Sequence, residues 1–278
     1  MDFSGVSGTF WDKMMDLQHR KLINRELLTL QLQEKKLIDA AMKAKQVNWK
    51  APLEEKIPEK VYSGLESAFC KGFALVFDKG RKLIELTYKK EQLQNDHILR
   101  DREVQTKGSR KDWKQMRKSA MRSDSLNMAA TTAEGVALGA LGVGMPDIVL
   151  FLATLLKGIY ETAIHYGFSY ESREEQYLIL KLMETSLKSG KDWVRGNAKV
   201  DALLAEDAIA VCEEVFQEQL EKTASAFAMD MLLLKFIQGL PVVGILGGAA
   251  NPVYYNKVMK YVQLKYRKRY LMKQMQSL

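Results

Sequence analysis

Residues 135–167 read GVALGALGVGMPDIVLFLATLLKGIYETAIHYG, and the second half of this stretch predicts one long helix. Pro146 favours a first helical turn, Asp147 suits the positive end of the helix dipole, and Gly167 suits the C-terminal cap. Apolar residues recur between them at the spacing of one helix face: Ile148, Leu152, Leu155, Leu156, Ile159 and Ala163. Such a helix requires other elements to cover its apolar face.

The rest of the chain predicts more helices and no sheet. It has only five prolines, which leaves long intervals without a helix breaker. No segment alternates apolar and polar residues with the period of two that marks a strand. We expect an all-α fold, a multi-helix bundle, with further helices over residues 10–45, 58–93, 170–189, 201–234 and 252–275, and with breaks at Gly108, Gly190 and Gly196.

The domain organisation that we predict has two parts. Residues 1–57 form an N-terminal helical arm, rich in Leu, Gln, Lys and Glu, through which the chain can self-associate. Residues 58–278 form the main helical domain, with a basic insertion near 95–125.

A second stretch resembles the first. Residues 239–252 read GLPVVGILGGAANP, again a glycine-rich apolar run that leads through proline into a helix. We expect the two stretches to form paired helical hairpins, side by side at one end of the bundle, because so many glycines need close backbone contacts. Their hinge glycines are Gly135, Gly139, Gly142, Gly144, Gly244, Gly247 and Gly248. A hairpin that is buried, or that dips reversibly into a bilayer, fits them better than a membrane span, which Asp147 and the prolines disfavour.

Positive charge is concentrated in two zones of a chain whose net charge is +8. Residues 100–122 hold nine basic and three acidic residues, and residues 256–278 hold seven basic and no acidic ones. Such zones are typical either of contacts with phosphate groups or of solvated helix faces. For lipid headgroups, the candidates are Lys257, Lys260, Lys265, Arg267, Lys268 and Arg269, together with Trp113.

At the two glycine-rich stretches the sequence resembles the EcsC-like family. The similar residues are 135–147, the helix end His165-Tyr166-Gly167, residues 174–183, and the run LPVVG at 240–244 with Asn251. The resemblance covers roughly residues 58–272, and similar blocks occur in the membrane-associated YcjF-like family. The EcsC-like family takes its name from a protein encoded beside an ABC transporter. The resemblance therefore implies an accessory of a membrane transport or envelope complex, and it brings no catalytic residues.

An enzyme is the first alternative. No metalloprotease or nucleophile-elbow motif occurs, and the best constellation is Glu134, Asp147, Glu161 and His165, in which Glu161 and His165 are one helical turn apart. Asp147 is over four turns from His165, so a second segment of the chain would have to complete such a site. The two cysteines, Cys70 and Cys212, lack metal-ligand spacing, so we expect small buried side chains in a reducing compartment. We expect no metal and no cofactor.

The functional prediction is a non-enzymatic helical protein at the cytoplasmic face of the cell membrane, with an anionic lipid surface or a membrane complex as its partner. A hydrolase with a site near Asp147 and His165 is one alternative. Nucleic-acid binding through residues 100–122, with Trp113 stacked on a base, is the other, and it is disfavoured because no known binding motif is present.

Overall fold

The computed structural model describes residues 4–46, 57–106, 108–120, 146–205, 210–238 and 251–277. Within these ranges the chain is helical and contains no strand, which confirms the predicted all-α bundle. The helices are α1 (Ser4–Gln46), α2 (Glu59–Leu75), α3 (Arg81–Glu85), α4 (Lys90–Thr106), α5 (110–120), α6 (Pro146–His165), α7 (Arg173–Leu187), α8 (Gly190–Ala205), α9 (Glu213–Gln238) and α10 (Asn251–Gln276).

Helix α6 has the predicted bounds. It begins at Pro146 and ends at His165, and Gly167 follows with a φ of 76°, a left-handed conformation that favours glycine. The imidazole of His97 lies directly against Gly167, in the space that a side chain would fill. The break at Gly108 is confirmed in the same way, with a φ of 53°.

Three predicted boundaries are wrong. The helix that we expected to begin at residue 201 belongs to α8, which begins at Gly190 and ends at Ala205, and α9 begins at Glu213. The helix that begins after Pro58 does not run to residue 93. It passes through a π-helical turn, Val76–Gly80, into α3, and it ends at Glu85, where Thr87 caps the last turn by donating to the carbonyl of Ile84. Gly190 does mark a break, but Gly196 lies inside α8, where its missing side chain lets the helix approach Thr185 of α7.

The core of the bundle is a layer of aromatic rings between α2, α6 and α9. The ring of Phe227 lies 5.4 Å from that of Phe69, 5.8 Å from that of Phe73 and 5.9 Å from that of Phe151. Each of these rings buries a large apolar area, which is the main stabilising contribution to a helical bundle.

Helix α1 packs on the rest of the chain. Ile23 and Leu30 are fully buried, and α1 contacts both α8 and α10. The segment that we predicted as an N-terminal arm is therefore part of the bundle over its described side chains. Its outer face keeps exposed apolar side chains, namely Leu17, Leu28, Leu32 and Met42. Self-association through that face stays a prediction.

Candidate functional site at one end of the bundle

Helices α6 and α10 run in the same direction. Gly158 of α6 lies against Tyr255 and Met259, near the start of α10, whereas Tyr166, eight residues later, has its ring 5.8 Å from that of Tyr270. The first residues of both helices, which directly follow the two glycine-rich stretches, are therefore at the same end of the bundle. We call this the hinge end, defined as the end at which α6 and α10 begin.

Helices α5 and α9 both run toward the hinge end. In α5, Trp113 contacts the late residue Tyr270 of α10, whereas Ala120 shares a cavity with the earlier residue Lys260. Helix α9 is antiparallel to α2, since Tyr62 pairs with Ser225 and Phe77 contacts Phe216.

Helix α2 in turn runs with α6. Gly72 of α2 contacts Ile148 and Leu152, near the start of α6. Further along both segments, Tyr88, which follows α3, hydrogen-bonds to Tyr170, which follows α6. The ends of α5 and α9 and the starts of α6 and α10 are thus all directed to the hinge end. The hinge glycines themselves, and the predicted pairing of the two hairpins, lie outside the described residues.

A missing side chain permits the close approach of α6 and α10. A Cβ atom at Gly158 would overlap the hydroxyl group of Tyr255 and would lie 3.3 Å from the terminal methyl of Met259. Small residues allow two helix backbones to approach in this way. Tyr255 is itself buried, so this contact fixes the start of α10 against α6.

Most of the predicted lipid-contacting cations are in internal ion pairs. Lys265 is fully buried and contacts Glu34 of α1 and Asp201 of α8. Lys268 contacts the same two carboxylates, at 3.0 and 2.9 Å. Burial raises the pKa of Glu34, but the hydrogen bonds and charges of these two lysines outweigh it, and the net shift is downward.

The two arginines of α10 are also paired. Arg267 contacts Glu26 of α1, and Nη1 of Arg269 donates to both carboxylate oxygens of Glu175 of α7, at 3.0 and 2.7 Å. The prediction that Lys265, Arg267, Lys268 and Arg269 face lipid is therefore corrected: in this fold they join α10 to its neighbouring helices.

Two of the predicted cations remain available at the hinge end. Lys260 is exposed, and Lys257 is partly exposed and pairs with Asp230 at 2.9 Å. Lys260 is nine residues from the start of α10, about 13 Å along a helix. It is joined there by Lys36, an exposed residue of α1 that lines the same cavity.

Trp113 is buried, with 3% of its surface exposed, and its ring packs edge-on against that of Tyr270 at 6.0 Å. Stacking on a nucleic-acid base or insertion among lipid headgroups would require an exposed ring. The prediction of either contact for Trp113 is corrected, and its role is to attach α5 to α10.

A cavity of about 460 Å³ lies between α1, α5 and α10. Its apolar lining comes from Leu37, Ala120, Tyr166 and Leu264, and its basic residues are Lys36, Arg117, Lys260 and Arg267. None of the described lining residues is acidic, although Glu26, just beyond the lining, contacts both arginines. The cavity therefore combines an apolar interior with an excess of positive charge.

The proposed catalytic residues do not come together. Asp147 and His165 are at opposite ends of α6, about 27 Å apart at the rise of a helix, and the side chain of Asp147 lies outside the described part of the structure. Glu161 and His165 are both buried. Burial, assisted by the positive charge of Arg100, lowers the pKa of His165 to about 4, so its ring is neutral at pH 7. A hydrolase using Asp147 with His165 has no shared site here.

The described cysteines differ in exposure. Cys70 is half-buried, and burial raises the pKa of its thiol, but Cys212 is exposed immediately before α9, which corrects the prediction that it is buried. In the described ranges, no group of three or more His, Cys, Asp or Glu residues has the arrangement of a metal site.

One described helix segment, Ile148–His165, is long and apolar enough to cross a membrane by length and composition alone. However, 89% of it is buried inside the bundle, and the core helix of a globular protein has the same composition. The composition of this segment is therefore not evidence for a membrane-spanning helix.

The fold and this end of the molecule define the class: an all-helical bundle with glycine-rich stretches between helices that meet at one end. The sequence pattern of the EcsC protein family matches residues 21–271, and the chain belongs to that family. No curated protein and no solved structure gives a significant match. The family match begins at residue 21, so it includes most of α1 as well as the range of roughly 58–272 over which we noted the resemblance.

Sequence reasoning missed the acidic partners of α10. Glu34 interrupts the apolar face formed by Leu27, Leu30 and Leu37, and a carboxylate in such a position signals a buried ion pair. Its partner could not be identified, because Lys265 is more than two hundred residues away in the sequence. Nothing in the sequence indicated the cavity between α1, α5 and α10.

Proposed function

We propose that this protein is a non-enzymatic, peripheral membrane protein whose hinge end meets an anionic lipid surface. The observation that carries the proposal is the common direction of the helices that flank both glycine-rich apolar stretches. Reversible insertion at a bilayer surface requires apolar segments that are presented together, and the described ends of these helices are directed to one end of the bundle. As the family resemblance implies, such a protein would serve as an accessory of a membrane transport or envelope complex.

Electrostatics supports the same end of the molecule. Lys36 and Lys260 are exposed near the hinge end, whereas the buried cations of α10 are matched by carboxylates. Each cation close to an anionic membrane surface contributes about 1 kcal/mol to binding. Two exposed cations give modest binding, so the apolar stretches must contribute the remainder.

Flotation with vesicles tests the proposal. The protein should float with vesicles that contain phosphatidylglycerol and much less with pure phosphatidylcholine vesicles, and binding should weaken as salt screens the charges. Lys260→Glu should reduce flotation. The matched control is Lys82→Glu, at an exposed position on α3, away from the hinge end. If all of the protein stays unbound on anionic vesicles at low salt, or if the two variants bind equally, the proposal is wrong.

A further inference from the structure

The cavity between α1, α5 and α10 has the two properties of a site for an amphiphile. Its volume of about 460 Å³ is within the range of small-molecule sites in proteins. The apolar part is built from three different helices: Leu37 from α1, Ala120 from α5 and Leu264 from α10. Leu264 and Ala120 are themselves well buried, so a bound chain would contact packed apolar surface.

The charge around this cavity is unbalanced. Arg117 and Arg267 share one carboxylate, that of Glu26, so two positive charges face a single negative one. Lys36 and Lys260 add two further cations at exposed positions. A neutral or cationic ligand would leave this excess uncompensated, whereas an anionic group compensates it.

A second, larger cavity of the described structure has a different character. It lies between α7, α8 and α9, with a volume of about 540 Å³, and it is lined by charges of both signs. Its carboxylates Glu184 and Asp192 are paired with neighbouring cations, at 2.9 Å for Lys181 with Glu184 and 3.6 Å for Arg195 with Asp192. Its described lining has five basic and three acidic residues, whereas that of the first cavity has four basic residues and no acidic one.

We propose that the cavity between α1, α5 and α10 binds one anionic phospholipid, with an acyl chain against Leu37 and Leu264 and the phosphate between Lys36 and Lys260. The inference rests on the proposed membrane association, because the membrane is the source of the lipid. Each methylene that enters an apolar site strengthens binding. The acyl chain and the phosphate of the lipid then both contribute to the specificity of binding.

Titration calorimetry with a short-chain phosphatidylglycerol, below its micelle concentration, tests this site on the full chain. The matched ligands are phosphatidylcholine of the same chain length and inorganic phosphate. We expect saturable one-to-one binding of phosphatidylglycerol, and binding at least tenfold weaker for the other two. Equal binding of phosphate alone would show an anion site without a chain pocket, and equal binding of phosphatidylcholine would show a site without charge selection. Either result overturns the proposal.

Three variants locate the binding. Ala40→Trp places a large ring at an exposed lining position and should abolish lipid binding, and Lys260→Glu should weaken it at least tenfold. Lys82→Glu is the control for charge, and circular dichroism with the unfolding temperature verifies the fold of each variant. Unchanged lipid affinity in a folded Ala40→Trp variant overturns the site.

The two proposals can fail separately. If the native protein floats with anionic vesicles but does not bind the short-chain lipid, the cavity proposal is wrong and the membrane proposal stands. If Ala40→Trp loses the soluble lipid but still floats, both proposals stand, with the cavity distinct from the insertion surface. If the native protein neither floats nor binds the soluble lipid, both are wrong.

Discussion

The ammonium group of Lys265 lies 2.5 Å from Oδ1 of Asp201, and the lysine side chain is completely buried. The same group contacts Glu34, and the amide of Asn197 donates to that carboxylate at 3.1 Å. The cluster therefore joins α1, α8 and α10 through charge rather than through apolar packing alone. Buried ion pairs of this kind contribute little net stability, but removing one member leaves a charge without compensation.

Lys265→Met should destabilise the protein strongly. The substitution leaves Glu34 buried with only Lys268 as its cationic partner, and the expected loss is about 3 kcal/mol or more in the free energy of unfolding. Urea denaturation measures it. Lys222→Met, which removes the exposed ion pair with Glu218, is the control and should change the free energy by less than about 1 kcal/mol. Equal losses in the two variants would contradict the internal role of Lys265.

Gly158→Ala should also destabilise the protein, because the new methyl group overlaps the hydroxyl of Tyr255. Overpacking of this kind costs about 1–3 kcal/mol. Tyr255→Phe in the same chain should restore part of the loss, which a thermal melt of the double variant measures. Gly64→Ala is the control, since a side chain there meets open space and alanine is the better helix former. If Gly158→Ala leaves the stability unchanged, α6 and α10 are further apart than this contact requires.

His165 should make stability depend on pH between about 4 and 6.5. In the folded chain burial lowers its pKa to about 4, and Arg100 adds to this effect, whereas the unfolded chain has the ordinary value near 6.5. Between these values the unfolded state binds the proton and the folded state does not, so stability falls as the pH is lowered through this range. The shift corresponds to roughly 3 kcal/mol at most.

Urea denaturation of the native protein and of His165→Gln measures this effect at two pH values, about 7.5 and about 5, one above the unfolded pKa of His165 and one between its two pKa values. The native protein should lose more free energy of unfolding between the two pH values than the variant does. Buried carboxylates change the stability at lower pH than His165 does. In Glu184, burial raises the pKa, but hydrogen bonds from Lys188, Lys181 and Gln219 outweigh it and bring the pKa to about 2. Parallel pH profiles for the two proteins would show that His165 accepts a proton in the fold.

The two cysteines should react at different rates with a thiol reagent. Cys212 is exposed, whereas Cys70 is half-buried and has a thiol pKa that is raised by burial and by the charges of Glu66 and Glu221. The thiolate is the reactive form, so Cys70 should be the slower one. Colorimetric titration of the native protein should show a fast and a slow phase, and Cys212→Ser should retain only the slow one. Retention of the fast phase would mean that Cys70 is accessible.

Elements with local signals were predictable from the sequence. The bounds of α6 follow from Pro146 and Gly167, and the break at Gly108 follows from the glycine itself, because these residues act on the backbone where they stand. The end of α3 at Glu85 has no glycine or proline to mark it. The last turn is closed there by Thr87, which donates to the carbonyl of Ile84, and a threonine alone does not identify a helix end in a sequence.

The candidate site was predictable only in part. Lys260 was identified from the basic composition of α10, but the same composition assigned Lys265 and Arg269 to the surface, whereas both pair with carboxylates of other helices. Composition gives the charge of a helix but does not reveal which face carries it or what that face packs against. The cavity depends on three helices that are far apart in sequence, so no local pattern indicates it.

Hydrogen exchange with and without phosphatidylglycerol vesicles tests the central claim most directly, since it reads the position of the membrane contact along the full chain. We expect slower exchange in peptides from residues 121–145 and 239–250 and at the start of α10, with no change in α3. The same measurement with phosphatidylcholine vesicles should show little difference. Protection confined to α3 or α4, or vesicle binding without protection of either glycine-rich stretch, would contradict the account.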